Sequence, residues 1–153
     1  MKFSKLIGIF LVVCIAITFL GVASAAEVTI NGEKFNIPDG FEKNEELSSV
    51  SKTTYGTDEL AVFDKDLDSI SITVTSLNGG TPNLPVEEKY SDKTVNGING
   101  KYCEDEDGAQ FVYNDGDRSI TIWLPQNCTV SFEDIVVNTT SEEDSGSPFN
   151  IFG

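Results

Sequence analysis

The chain has 153 residues, ten of them basic and 25 acidic, and it contains no histidine. A net charge of −15 opposes binding to nucleic acid or to anionic lipid. Without histidine the usual base for a serine or cysteine nucleophile is missing, and so is the commonest zinc ligand.

Lys2 and Lys5 precede an uncharged run from Leu6 to Ala26 that ends Val22-Ala23-Ser24-Ala25-Ala26. A basic start, an apolar middle and an Ala-x-Ala end are the parts of a secretory signal peptide, cut after Ala25 or Ala26. The alternative is an uncleaved signal anchor, because the run approaches the length of a membrane span. Cys14 does not read as a lipid-anchor site, since Val13 is not the small residue that such a site wants. Residues 1–25 are therefore expected to be a signal peptide, 27–138 a single secreted or cell-surface domain, and 139–153 a flexible acidic tail. Membrane contact is expected only if the leader stays. Without Lys2 and Lys5, eight basic residues face 25 acidic ones, a charge of −17.

Glu27 to Ile30 and Glu33 to Ile37 flank Asn31-Gly32, a strong short-range signal for a hairpin. Pro38-Asp39-Gly40 ends the second strand. Leu47 to Tyr55 alternates weakly. Glu59 to Phe63 and Ser69 to Leu77 are better strands, the latter with Ile70, Ile72 and Val74 on one side and hydroxyl residues on the other. Between them Asp64, Asp66 and Asp68 are weak candidates for a calcium site. An EF-hand loop wants Gly at its sixth position and Glu at its twelfth, and Ser69 and Thr75 stand there. An acidic hairpin turn explains them as well. Pro85 to Tyr90 has the form of a short helix with proline at its first position.

Thr94 to Cys128 reads as a meander of three strand-like runs. Glu104-Asp105-Glu106-Asp107 is a solvated tip, and Asn114-Asp115-Gly116 a tight turn. Ala109, Phe111 and Tyr113 share one face. Ile120, Ile122 and Leu124 face one way, and Ser119, Thr121 and Trp123 the other. Cys103 and Cys128 are the only cysteines outside the leader. In an exported chain they are expected to pair, which would stabilise the fold by about 3 kcal/mol. Ser131 to Asp134 has capping-box form and opens a short C-terminal helix. Asn127-Cys128-Thr129 and Asn138-Thr139-Thr140 are glycosylation acceptors, and Asn138 is the better placed of the two.

No catalytic constellation is recognisable and no cofactor is expected. The serines sit in no Gly-x-Ser-x-Gly or Ser-x-x-Lys context. A carboxylate-based hydrolase needs only two acids, but the acids here gather at turn tips. Trp123, with Tyr90, Tyr102 and Tyr113, supplies the aromatics of a possible sugar platform. On an open face Trp123 with Thr121 would meet a ligand or partner; on a covered face it is core.

The segments Asn31-Gly32 … Phe35-Asn36-Ile37-Pro38-Asp39-Gly40-Phe41 and Val95-Asn96-Gly97-Ile98-Asn99-Gly100-Lys101-Tyr102 resemble those of small exported uncharacterised proteins of methanogenic archaea. More distantly, a strand followed by Ile-Pro-x-Gly-Phe, a long sheet and a terminal helix is similar to the PsbP-type α+β sandwich. The resemblance implies a location and a fold, and no site residue. The whole predicts an α+β domain: a mainly antiparallel sheet of about six or seven strands, a short C-terminal helix and one disulfide. Its expected role is a non-enzymatic interaction module that meets a surface protein or polysaccharide. The alternative is a calcium-binding surface protein.

Overall fold

A computed structural model describes residues 25–137. The expected leader up to Ser24, the acidic tail and Asn138 lie outside the described residues. The chain runs β1 (Ala26–Ile30), β2 (Glu33–Ile37), β3 (Glu42–Lys43), β4 (Ser49–Lys52), β5 (Gly56–Lys65), β6 (Asp68–Leu77), β7 (Ser91–Val95), β8 (Ile98–Glu104), β9 (Gly108–Asp115), β10 (Arg118–Pro125) and α1 (Phe132–Ile135). β1 and β2 pair only with each other. The other eight form one antiparallel sheet in the order β3-β5-β6-β10-β9-β8-β7, with β4 also on β5. Strand makes up 58% and helix 4% of the described residues, which therefore form an antiparallel β fold rather than the expected α+β domain. The terminal helix exists but is four residues long. Pro85 to Tyr90 forms no helix, only a turn closed by the Tyr90 amide on the Glu87 carbonyl. Among the described residues no helix is long and apolar enough to cross a membrane.

One face of the large sheet carries the core. Ile70, Ile72 and Val74 of β6 lie beside Ile120, Ile122 and Leu124 of β10, with Phe111 and Tyr113 of β9 next to them. The β1–β2 hairpin and α1 cover this face with Ile30, Phe35, Ile37, Phe132 and Ile135. The hairpin is anchored at its turn. Asn31, at φ 44°, donates its side-chain amide to the carbonyls of Thr57 and Val74, and its backbone amide to the Glu59 carboxylate. Glu33 pairs with Arg118 at 2.6 Å. Asn96, in the second Asn-Gly turn, donates to the Glu133 and Val136 carbonyls and so ties β7–β8 to α1. Asn99-Gly100 is interior to β8, where a side chain at 100 would strike the Phe111 ring.

The two central hairpins repeat each other. Ser69-Ile70-Ser71-Ile72 matches Ser119-Ile120-Thr121-Ile122, and the left-handed turn residues Asp66 and Gly116 occupy equivalent places. Ile72 pairs directly with Ile122, so an approximate two-fold axis passes between these equivalent residues.

Cys103 and Cys128 do not form a disulfide; both are free thiols. Strand parity is the reason. Cys103 lies opposite Gln110, which lies opposite Trp123, so it belongs to the face away from the core. Cys128 packs against the core cluster on the other face. The sheet itself stands between them. Reduction is therefore expected to leave the intact mass of the native protein unchanged. A gain of about two daltons, the two hydrogens of a reduced bridge, would refute this arrangement.

Candidate functional site

The face away from the core is built by the same alternation. Across β6 and β10 the pairs are Thr75–Ser119, Thr73–Thr121 and Ser71–Trp123. The rows continue to Asn114, Val112 and Gln110 on β9, and to Asp58, Leu60 and Val62 on β5, where Asp58 is exposed. The hydroxyl residues and Trp123 are half-buried. Residues 82–90 cross the β9 side of this face. Asn114 donates to the Pro82 carbonyl at 2.6 Å, and the Tyr90 hydroxyl donates to Gln110 Oε1 at 3.0 Å. At the β5 side the backbone leaves the edge over residues 44–48. There the Ser48 hydroxyl takes the Val62 amide proton, and the Val62 carbonyl accepts from the Asn44 amide. A shallow strip along β6 and β10 is left between these two borders.

Trp123 is thus neither core nor fully open. Its indole lies beside the Gly108 backbone, where an added Cβ would stand 3.1 Å from the ring. Of the other aromatics, only Tyr90 joins this face. Tyr113 packs in the core with Phe111, ring centroids 5.5 Å apart, and Tyr102 meets Phe132 edge-on on the core side.

A cleft of about 350 Å³ lies beside α1, lined by Lys93, Glu104, Leu124, Cys128, Phe132 and Glu133. The Lys93 ammonium stands 4.4 Å from the Tyr102 ring centroid and 5.3 Å from that of Phe132. Glu104 accepts the Tyr102 hydroxyl. Burial pushes the Cys128 thiol above its ordinary 9.0, which keeps it protonated at neutral pH and a poor nucleophile. With no histidine to act as its base, the cleft offers shape and a cation but no activated group.

The three aspartates of the calcium reading diverge. Asp64 and Asp68 point to opposite faces of their hairpin, and Asp66 sits in its turn. Hydrogen bonds from Asn44 and Ser69 hold the Asp64 carboxyl below its usual range, and Asp68 accepts from the Thr129 hydroxyl. At the tip after β8, Asp105 accepts the backbone amides of Asp107 and Gly108. Among the described residues no group of three or more acidic or cysteine side chains stands close enough to hold a metal ion. Asn127 is exposed in a left-handed turn at φ 64°. Thr129, the third residue of its acceptor triplet, is committed to Asp68.

Two tyrosines link this architecture to pH. Burial, with Glu33 and Asp115 nearby, raises the Tyr113 hydroxyl well above its ordinary 10.0. The hydrogen bond to Glu104 raises Tyr102 to about 12. The unfolded chain releases these protons near pH 10 and the folded chain keeps them, so the folded state binds more protons in this range. Their contribution is complete below pH 10 and is lost as pH rises toward about 12 and beyond. A urea midpoint that falls across this window, and falls less in Tyr113→Phe, is the expected result.

A domain family described as a domain of unknown function, DUF4367, matches residues 32–136. The chain belongs to the DUF4367 family. The DUF4367 match runs from the β1–β2 turn to the end of α1, so it contains both central hairpins, the Trp123 face and the cleft. No curated protein and no solved structure matches the chain. The likeness to methanogen proteins and to the PsbP sandwich gains no support from these comparisons.

Two features of this DUF4367 domain escaped the sequence reading. One is the repeat of Ser-Ile-(Ser/Thr)-Ile, which was visible as a string. The other is the alignment of five hydroxyl residues on two neighbouring strands. That needed the pairing of β6 with β10, strands far apart along the chain.

Proposed function

We propose that this DUF4367 chain is a non-enzymatic interaction module that works outside the cell and uses the strip around Trp123 as its contact surface. The observation that carries the reading is the strip's composition. In a chain of charge −15, the rows Leu60–Thr73–Thr121–Val112 and Val62–Ser71–Trp123–Gln110 contain no charged side chain. Solvated sheet faces are ordinarily where charge accumulates. An uncharged, partly accessible strip with an indole at one end instead suits recognition, because hydroxyl and amide groups that a ligand hydrogen-bonds are desolvated at less cost than charges. The leader read from the sequence supports export, and a strongly acidic surface keeps a secreted domain dispersed.

The test uses full-length protein, purified after export and labelled, added to intact cells of the producing organism. Saturable binding that falls at least tenfold in Trp123→Ala and is unchanged in Leu67→Asp supports the reading. Leu67 is 99% exposed at a hairpin tip away from the strip. Binding indifferent to Trp123, or no binding, overturns it.

A further inference from the structure

We infer that the Trp123 strip takes a neutral glycan, with one sugar ring stacked on the indole and its neighbours held by the amide and hydroxyl groups of β6, β9 and β10. The inference rests on the function proposed above and names the ligand class.

The chemistry of the strip selects that class. Gln110 lies directly opposite Trp123, and its Oε1 is already occupied by the Tyr90 hydroxyl. The amide is thereby oriented, and its NH2 group remains as a donor beside the indole. The hydroxyls of Ser71, Thr73, Thr75, Ser119 and Thr121 make no hydrogen bonds among the described residues, although each can both donate and accept. Further along the strip, Asn114 Oδ1 is a buried acceptor with no donor among the described residues. Asn114 lies opposite Ser119, four residues along β10 from Trp123, a distance of about 13 Å at the strand rise. A row of unpaired donors and acceptors that starts at a flat aromatic matches an oligosaccharide, whose rings have an apolar face and a hydroxyl edge.

Charge narrows the choice. The Thr75–Ser119–Asn114 row ends on β5 at Asp58, an acid, and the first charged side chain met on the Thr73–Thr121 row is Lys101, which Asp92 neutralises at 2.7 Å. An acidic glycan would meet no free cation here and would be repelled by the chain as a whole. A protein partner would want an apolar anchor site. The large apolar side chains that are exposed, Leu47, Val50, Tyr55, Leu67 and Val86, all lie on the edge strand or in turns and loops outside the strip. Gly108 lets β9 approach β10 closely beside the indole, since a Cβ there would overlap the Leu124 carbonyl oxygen and stand 3.1 Å from the Trp123 ring.

Trp123 is the only tryptophan in the chain, so its fluorescence reports this strip alone. Full-length protein is run by native electrophoresis through gels containing hydroxyethyl cellulose, dextran, mannan or the acidic polymer polygalacturonate. It is also titrated with matching neutral oligosaccharides while the emission is followed. At least one neutral polymer is expected to retard the protein and to shift the emission to shorter wavelength, while polygalacturonate does neither. Trp123→Ala should weaken retardation at least tenfold and Gln110→Ala several-fold, and Trp123→Phe should recover part of it. Circular dichroism identifies any variant that fails to fold, and Gln110→Ala then carries the test. No retardation by any neutral polymer, or retardation indifferent to both Trp123 and Gln110, overturns the inference. So does cell binding that depends on Trp123 but is lost to protease and survives periodate. That last result would make the partner a protein and leave the interaction function standing.

Discussion

Phe35→Ala is expected to lower the unfolding free energy by about 3–5 kcal/mol, read from the midpoint of urea denaturation. Phe35 is fully buried at the centre of β2, and its backbone bridges Val136 at the end of α1. It therefore sits where the hairpin, the helix and the large sheet meet. The hairpin shares no strand pairing with that sheet, and two strands alone are marginal in water. Side chains must hold it down, and Phe35 is the largest of those it contributes. Removing the ring loses its transfer free energy and leaves a cavity that a three-part junction cannot easily close. Since domains are stable by only about 5–15 kcal/mol, this is a large fraction of the total. Lys34→Ala, next along the strand and exposed, should change stability by less than about 0.5 kcal/mol. A Phe35→Ala loss below about 1 kcal/mol would mean that the hairpin is not docked as described.

Gly56→Ala should cost about 3 kcal/mol, the upper end of the range for overpacking. Gly56 opens β5 opposite Leu77, and a Cβ there would overlap the Ser76 carbonyl oxygen and stand 3.0 Å from its carbon. Those atoms are backbone in the neighbouring strand, so no rotamer change relieves the clash; the strands must part. Gly116 makes the useful contrast. It has φ 58° and nothing within 4 Å of the place a Cβ would take, so alanine there meets only the left-handed backbone penalty of about 1 kcal/mol. Equal losses at the two positions would refute the close approach at Gly56.

Much of the fold was legible because period-two alternation is local. The hairpin at Asn31-Gly32, the one read at Asn114-Asp115-Gly116 (whose two-residue loop is Gly116-Asp117), and the division of β10 into an apolar and a hydroxylated side need only neighbouring residues to be seen. The fold class was misread because the expected C-terminal helix is only four residues, Phe132–Ile135, too short to form a layer, and Pro85 to Tyr90, with helix-start chemistry but no apolar stripe, forms no helix. Its Tyr90 is instead drawn to Gln110 on the sheet. The disulfide was misread because counting cysteines says nothing about which side of a sheet each one faces. The calcium motif failed for the same reason: alternate aspartates in an extended chain share a face, but a turn placed between them separates them.

By itself, then, the amino-acid sequence determined the longer strands and the Asn31-Gly32 turn, and which side chains of each of those strands lie together. It also determined the net charge of −15, which opposes binding to polyanions. Which strands lie side by side was decided only by the tertiary structure. β6 and β10 meet through a long-range register, chosen by the fit of their isoleucine faces under the hairpin and α1. Local patterns cannot encode that choice, because every amphipathic strand here could pair with several others. The consequence is felt on the reverse side. The same register that packs Ile72 against Ile122 brings Thr73 to Thr121 and Ser71 to Trp123, and so assembles the surface on which the proposed function rests.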